Sequence, residues 1–484
     1  MSASEQSGVE RGLRSETMTW ELVVGLEVHC ELATVTKIFC GCRNQFGDEP
    51  NTNICPVCLG LPGSLPVLNR QAVEFAMKLG LALRCHVEPS IFHRKNYFYP
   101  DMPKDYQVSQ YDRPINLDGE LLLPDGTVIG IERAHLEEDT GKSTHIGGGG
   151  RIHDAGYSLI DYNRAGVPLV EIVSRPDIRS AEHAKAYVNE LRAILLATGV
   201  SDAKMEEGSM RVDANVSVNR PGEPLGTRCE IKNLNSTRSL GRAIEYEMRR
   251  QIDLLDRGER IIQETRHWNE ADGRTNTLRS KEDAFDYRYF PEPDLVPIEP
   301  DDAWLGAVRA SLPVLPAERR AVLSERTGVT PGDVAVIVER DLDGLVLEAL
   351  AAGGAADRLL VHADNNLFEG AGALDAAAFA ALSKLESGGA LTATQAKTVL
   401  AELVASGGDP AAIAAAKGFE AMDDGALAAL VDELIAANAD AFAKFKEGDQ
   451  KITGFFVGQV MKQTQGKADG KTVTRLLHER ATAT

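Results

Sequence analysis

The sequence has no run of about 18 apolar residues, which excludes a single-helix membrane span. Its opening stretch, Met1–Thr19, has no apolar h-region, so it reads as a disordered leader and not as a signal peptide. Cysteine is scarce, with seven in 484 residues. Without a signal peptide, that usage points to a reducing, cytoplasmic setting. Because four of the seven cluster, metal is a better expectation for them than disulfides. Positive charge is outnumbered, 52 Lys and Arg against 72 Asp and Glu, for a net charge of −20. This balance argues against non-specific nucleic-acid binding and leaves open an RNA site built from a local charge pattern. No repeat of solenoid period occurs. A Walker-type loop is also missing. Gly141-Lys142-Ser143 imitates the end of one, but position 136, where the motif needs its first glycine, is Leu.

What is present suits a soluble chain of several domains, with 43% hydrophobic and 26% charged residues. Composition marks three zones. Residues 20–295 mix short β-type runs with Gly, Pro and aromatics, as an α+β domain would. Residues 296–410 are rich in Ala and Leu with helical periodicity, as in Ala307–Leu312 and Gln395–Val404. Pro297, Pro300, Pro313 and Pro316 crowd the entry to this zone, and Ser406–Pro410 closes it. Residues 411–484 are helical again, acidic at first (Asp423, Asp424, Asp432, Glu433) and basic towards Lys462, Lys467, Lys471, Arg475 and Arg480. Gly147–Gly150 reads as a flexible hairpin tip.

Four strand-like segments carry carboxylates on alternating patterns. In Trp20–Leu32, side chains two apart share a face, so Glu27, His29 and Glu31 point one way while Leu26, Val28, Cys30 and Leu32 point the other. Carboxylate and imidazole side by side can hold a divalent ion; a solvated edge strand is the bland alternative. In Ile129–Asp139, Ile131, Arg133, His135 and Glu137 share one face, and Glu132, Ala134, Leu136 and Glu138 share the other. Glu138 thus follows small and apolar residues, and an inward carboxylate needs a metal or a cation. In Pro168–Val173 a single carboxylate, Glu171, interrupts an apolar strand. In Ser209–Val218, Arg211, Asp213, Asn215 and Ser217 line one face. Together these strands suggest a metal-dependent phosphoryl-transfer site without a P-loop.

Cys40-Gly-Cys42 and Cys55-Pro-Val-Cys58 have the spacing of a structural zinc site, with four reduced core cysteines as the alternative. The stretch Phe92–Gln107 interleaves aromatics with cations, which suits stacking on bases or adenine, or equally a loop packed by its own tyrosines. Arg238–Arg260 reads as a basic face or as a salt-bridged helix.

Five motifs then converge: Gly25-Leu-Glu-Val-His29, Arg94-Lys-Asn-Tyr-Phe-Tyr-Pro-Asp101, His135-Leu-Glu-Glu-Asp-Thr-Gly-Lys142, Met205-Glu-Glu-Gly-Ser209 and Asp286-Tyr-Arg-Tyr-Phe-Pro-Glu-Pro-Asp294. They resemble the B subunits of the aspartyl/glutamyl-tRNA amidotransferases (GatB) over essentially the whole chain after Thr19. The resemblance implies an α+β fold: a mixed or antiparallel-sheet cradle domain at 20–295, an all-α helical domain at 296–410, and a small all-α tail domain similar to the YqeY family at 411–484. Gly454-Phe-Phe-Val-Gly-Gln-Val-Met-Lys462 carries the likeness to that tail. There is no room for the large inserted domain of the archaeal paralogue GatE.

The resemblance also implies an activity. ATP and magnesium would phosphorylate the side-chain carboxylate of Glu on tRNA(Gln) or Asp on tRNA(Asn), and ammonia would displace the phosphate to give the amide. A GatA-type amidase subunit would supply the ammonia from glutamine through a channel, and a GatC-type subunit would complete the heterotrimer. Carried over by position, Glu27, His29 and Glu138 are the magnesium-site residues, with Glu171 as a further candidate. Lys104 matches a lysine where the channel meets the kinase site. Arg94, Lys95 and Asp213 are candidate nucleotide contacts, and Cys40, Cys42, Cys55 and Cys58 a structural zinc site. No Gly- and Ser-rich amidase signature is present, so the isolated chain is expected not to hydrolyse glutamine. Two other readings stand beside this one: an ATP-dependent carboxylate–amine ligase on a small substrate, and a non-enzymatic zinc-containing RNA-binding or assembly protein.

Overall fold

The structure, a computed structural model, describes residues 20–96, 98–147, 155–280, 288–419, 424–446, 451–464, 468 and 470–482. The leader, most of the Gly147–Gly150 tract, Asp423 and Lys467 lie outside the described residues. Two compact units divide the chain, Met1–Leu315 and Pro316–Thr484.

The first unit runs β1 (Glu21–Glu31), α1 (Arg70–Ala82), β2 (His86–Val87), β3 (His93–Asn96), β4 (Tyr106–Ser109), β5 (Asn116–Leu122), β6 (Val128–Glu138), β7 (Lys142–Ile146), β8 (Tyr157–Asp161), β9 (Pro168–Ser174), α2 (Ala181–Thr198), β10 (Met210–Asn219), β11 (Cys229–Leu234), α3 (Thr237–Asp256), β12 (Glu264–Asn269), β13 (Arg274–Ser280), β14 (Arg288–Pro291) and α4 (Asp302–Ala310). Its main sheet has the order β13-β12-β11-β10-β1-β9-β6-β4-β3-β14, with β5 added on β6 and β2 on β5. Among these pairings only β11 with β12 is parallel. β7 and β8 form a separate hairpin.

Period-2 alternation decides what each face of the sheet does. One face buries Leu26, Val28 and Cys30 of β1, Leu136 of β6, Ile172 of β9 and Ala214 of β10 in one core with Met77 of α1, Leu191 of α2 and Ile244 of α3. Each such aliphatic side chain contributes roughly 1.5–3 kcal/mol by leaving water. The helices are started by matching caps: Ser180 and Ser236 accept from the backbone N–H groups of His183 and Ser239. Gly199 ends α2 at φ 68, a conformation that costs glycine no Cβ clash. The opposite face keeps Glu27, His29, Glu31, Glu171, Arg211, Asp213 and Asn215 half-buried.

β6 departs from simple alternation. Its register against β9 shifts between Ile131 and Arg133, a bulge that consumes one residue. Ile131 therefore joins Ala134 and Leu136 in the core, and only Arg133, His135 and Glu137 keep the shared face expected for all four residues. The first unit also continues past residue 295. Val308 of α4 lies in its core, and Trp304 Nε1 donates to Glu74 of α1 at 2.8 Å.

The second unit is helical throughout its described secondary structure: α5 (Pro316–Thr327), α6 (Ala335–Glu339), α7 (Asp343–Ala351), α8 (Ala356–Asn365), α9 (Ala376–Ser387), α10 (Ala393–Ser406), α11 (Pro410–Ala416), α12 (Asp424–Ala437), α13 (Ala439–Lys446), α14 (Lys451–Gln463) and α15 (Gly470–Thr482). Thr392 and Gln395 close a reciprocal capping box on α10, and Asp409-Pro410 opens α11 with a cap and a pre-set first turn. It holds two apolar cores, one from Leu323 to Ala414 and one from Leu427 to Leu477. Arg480 reaches back from α15 to Asp432 of α12 with two bonds of 2.7 and 3.0 Å, so part of the basic end is neutralised internally. Among the described residues no single helix is long and apolar enough to cross a membrane.

Candidate active site

Three adjacent antiparallel strands, β6, β9 and β1, bring together one cluster on the polar face. Register sets His29 opposite Glu171, and Glu171 opposite His135. One side-chain donor atom from each of His29, Glu137 and Glu171 lies within 4.8 Å of the other two. His29 Nε2 is 3.8 Å from Glu137 and 3.9 Å from Glu171, and His135 Nε2 sits 3.1 Å from the other oxygen of Glu171. Two carboxylates and an imidazole converging from rigid strands are a donor set for a hard divalent cation. His135 would orient Glu171 in the way outer partners orient metal-ligating carboxylates.

The electrostatics of the cluster are unbalanced. Burial, then the charge of Glu171, pushes the Glu137 carboxyl up, against the pull of the two histidines and Lys95. Burial, then Glu171 and Glu230, likewise raises Glu27, while Asn215 donates to it at 2.9 Å. Burial opposes ionisation of Glu171 too, but the hydrogen bond and charge of His135 and the charge of His29 outweigh it and hold that carboxyl low. A carboxylate whose charge raises the pKa of its buried neighbours is what a cation at the centre would relieve.

Around this centre lie matched pairs. Asp213, opposite Glu27 in the β1–β10 register, is 2.7 Å from Lys232, which also lies 3.0 Å from Glu230. Arg211 meets Asp139 at 2.9 Å. Glu31 lies against Asp139 in turn: burial, then the Asp139 charge, pushes its carboxyl up to about 8.

Glu138 is not in the cluster. Neighbouring side chains on a strand point to opposite faces, so Glu137 faces His29 while Glu138 faces the interior beyond Leu136. There Glu138 accepts from Lys104 Nζ at 2.5 Å and from the Val108 backbone N–H at 2.8 Å. Of the magnesium candidates Glu27, His29, Glu138 and Glu171, the structure groups His29 and Glu171 with Glu137, sets Glu27 alongside, and places Glu138 apart. Arg94 and Lys95 separate for the same reason. Arg94 is held by Glu292 at 2.7 and 2.8 Å and by Asp294 at 3.2 Å, and stacks 4.3 Å over the Tyr106 ring. Lys95 acts electrostatically on Glu137. Lys104, Glu138, Glu292 and Asp294 line an open pocket that also touches Cys40 and Cys58.

The four sulfurs of Cys40, Cys42, Cys55 and Cys58 lie within 4.8 Å of one another. The Cys55 backbone N–H points at Cys58 Sγ at 3.1 Å. A hydrogen bond with the Cys40 thiol lowers the Cys58 pKa, and Cys40 rises in return. Four thiols at this spacing fit a tetrahedral ion such as zinc. Sequence reasoning selects all four cysteines, His29 and Glu171. It passes over Glu137 and His135 as site residues, although their shared parity on β6 is visible.

The sheet and its carboxylate cluster fall within a region of known type: residues 22–306 match the GatB/GatE catalytic domain, and residues 363–480 match the GatB domain. The same class of protein is met again over the full length. The chain is 52% identical over 480 residues to the B subunit of the aspartyl/glutamyl-tRNA(Asn/Gln) amidotransferase from Salinispora arenicola, covering 95% of this chain and 96% of that one. It is 49% identical over 482 residues to the corresponding B subunit from Moorella thermoacetica, covering 96% and 100%. The chain belongs to the family of aspartyl/glutamyl-tRNA(Asn/Gln) amidotransferase B subunits.

Proposed function

We propose that this chain is the tRNA-binding, carboxylate-activating subunit of a cytoplasmic heterotrimer with a GatA-type amidase and a GatC-type subunit. It acts on Glu-tRNA(Gln), Asp-tRNA(Asn) or both. The observation that carries this reading is the convergence of His29, Glu137 and Glu171 on the polar sheet face of a chain from this family. The substrate carboxylate attacks the γ-phosphorus of ATP and ADP leaves. Ammonia then attacks the carbonyl carbon and inorganic phosphate departs. Without the first step the leaving group would be hydroxide or oxide, which leaves badly.

His29, Glu137 and Glu171 would hold magnesium, which when bound supplies charge to offset the phosphates. Glu27 stands beside them, with its orientation fixed by Asn215. Lys95 and the Lys232–Asp213 pair flank the same face and are the candidate nucleotide contacts. Arg94 acts at one remove, holding Glu292 and Asp294 where they line the cavity. The Lys104–Glu138 pair sits in that cavity, where ammonia would arrive. Cys40, Cys42, Cys55 and Cys58 would hold structural zinc.

ADP release by the heterotrimer, with and without Glu-tRNA(Gln) and Asp-tRNA(Asn), tests the reading. ADP formation should require a misacylated tRNA and vanish in Glu27→Gln and His29→Ala. Turnover indifferent to tRNA and to both substitutions would contradict it and favour the RNA-binding alternative. Activation of free glutamate would favour a small-substrate ligase.

A further inference from the structure

We propose that the four-cysteine cluster positions the Lys104–Glu138 ion pair, and that Gly60 is the contact through which it does so. Two of the walls around the Lys104 side chain come from residues flanking the cysteines; the Tyr106 ring, 4.9 Å from Lys104 Nζ, is a third. Phe39, immediately before Cys40, lies with its ring centroid 5.6 Å from Lys104 Nζ. Gly60, two residues after Cys58, lies directly against the lysine. A Cβ there would fall 2.5 Å from Lys104 Cγ, 3.1 Å from its Cβ and 3.2 Å from its Cα. Gly60 is at φ +65, in the left-handed region, so both its backbone angle and its missing side chain are used. The second member of the pair is separated from Cys58 by Gly166 alone. A Cβ at Gly166 would lie 3.7 Å from Cys58 Cβ and 3.9 Å from Glu138 Oε2.

The loop that makes these contacts is tied down at its flanks, through Asn51, Asn53 and Val67, whereas the hydrogen bonds of Cys55–Ser64 stay within the knuckle itself. From Cys40 to Asn69 it contains no helix or regular strand. Its knuckle is fixed by short turns, Leu59 N–H to Cys55 O at 3.1 Å, Gly60 N–H to Val57 O at 3.0 Å and Leu61 N–H to Pro56 O at 2.9 Å. An ion held by four thiolates would close this loop and bring Gly60 to one place. Lys104 is otherwise a long, rotamer-rich side chain, only 9% exposed, that needs a wall to keep its ammonium on Glu138. How the pair is held does not depend on what the pair does, so its placement can be read without assuming amidation.

The test is acylation of Lys104 by a brief pulse of an amine-reactive reagent on the full chain, read by peptide mass spectrometry. Four samples are compared: zinc-loaded wild type, wild type after chelation, Cys58→Ser, and zinc-loaded Gly60→Ala. Zinc content and thermal melting are recorded for each. The expected result is at least about a fivefold faster acylation of Lys104 after chelation and in Cys58→Ser, from local opening of the loop. Lys185 and Lys204 should be unchanged. Zinc re-addition should restore protection in wild type and not in Cys58→Ser. Gly60→Ala should retain zinc and still expose Lys104. Equal acylation with and without zinc, or a wild-type chain that takes up no zinc, overturns the proposal. If Gly60→Ala fails to fold, the chelation and re-addition series on wild type decides alone.

Discussion

Glu137 and Glu138 are chain neighbours at the end of β6, yet they belong to opposite kinds of site. Glu138 lies in the interior with its charge matched: one ammonium and one backbone N–H satisfy its carboxylate. Glu137 lies among further carboxylates, with Glu171 in contact range of the same histidine. The first arrangement is complete as it stands. The second has surplus negative charge and donor atoms aimed at a common point, as a cation site has before its ion is counted. Burial alone therefore does not mark function here, since both residues are buried; charge balance separates them.

The largest effect is expected at the ion pair. Glu138→Ala strands Lys104 as an uncompensated buried cation, and chemical denaturation should show a loss of roughly 3–5 kcal/mol. A loss below about 1 kcal/mol, the level of a solvated surface pair, would mean that the contrast with Glu137 is weaker than drawn. Glu137→Gln should do the reverse: its stability should be kept or raised, because burial and the Glu171 charge disfavour its carboxylate. Glu171→Gln, which weakens the ion pair with His135, should lose some stability. In both, misacyl-tRNA-dependent ADP formation should fall by about 100-fold or more, as expected when a metal ligand is lost. Conversely, Glu138→Gln, which keeps an acceptor for Lys104, should retain magnesium-dependent ADP formation.

A smaller effect is expected at Glu31. Its folded pKa of about 8 exceeds the ordinary 4.5, so below 4.5 both folded and unfolded forms are protonated and nothing is lost. Between 4.5 and 8 only the unfolded state ionises, and stability declines with rising pH by up to about 1.4 kcal/mol per unit. Glu31→Gln, which can still donate to Asp139, should flatten that decline. Melting curves of both proteins from about pH 5 to about pH 9 would show it, and parallel curves would argue against a protonated Glu31. The mildest prediction for chemistry concerns the second unit. Cutting at Gly408 removes the Leu427–Leu477 core and the basic end; tRNA affinity should weaken while the carboxylate cluster of the first unit is untouched. Unchanged tRNA binding would put recognition elsewhere.

Much of the site is legible in the residues themselves. The alternation of β1 puts Glu27 and His29 on the face away from Leu26 and Val28, and the spacing of the cysteines groups all four. The helical zones follow from Ala and Leu periodicity, with Pro316 and Asp409-Pro410 sitting at helix starts. Which of two consecutive glutamates joins the His29 cluster is legible as parity, since Glu137 shares the face of His135; the bulge at Ile131–Arg133, which turns Ile131 into the core, is not, because a sequence pattern does not reveal where a ladder slips. Arg94 is harder still. Its partner Glu292 is 198 residues away, so the guanidinium reads as free until β14 is placed beside β3. The prolines near residue 295 signal a break, whereas α4 packs back on the first unit through Trp304 and Val308.

The most direct measurement is manganese binding, manganese standing in for magnesium, followed by electron paramagnetic resonance on the wild-type chain, Glu137→Gln and Glu138→Gln. One tight site in wild type and in Glu138→Gln, lost in Glu137→Gln, is the result expected if His29, Glu137 and Glu171 form the metal centre. Binding that survives Glu137→Gln and disappears in Glu138→Gln would contradict the account and return the site to the interior face of β6.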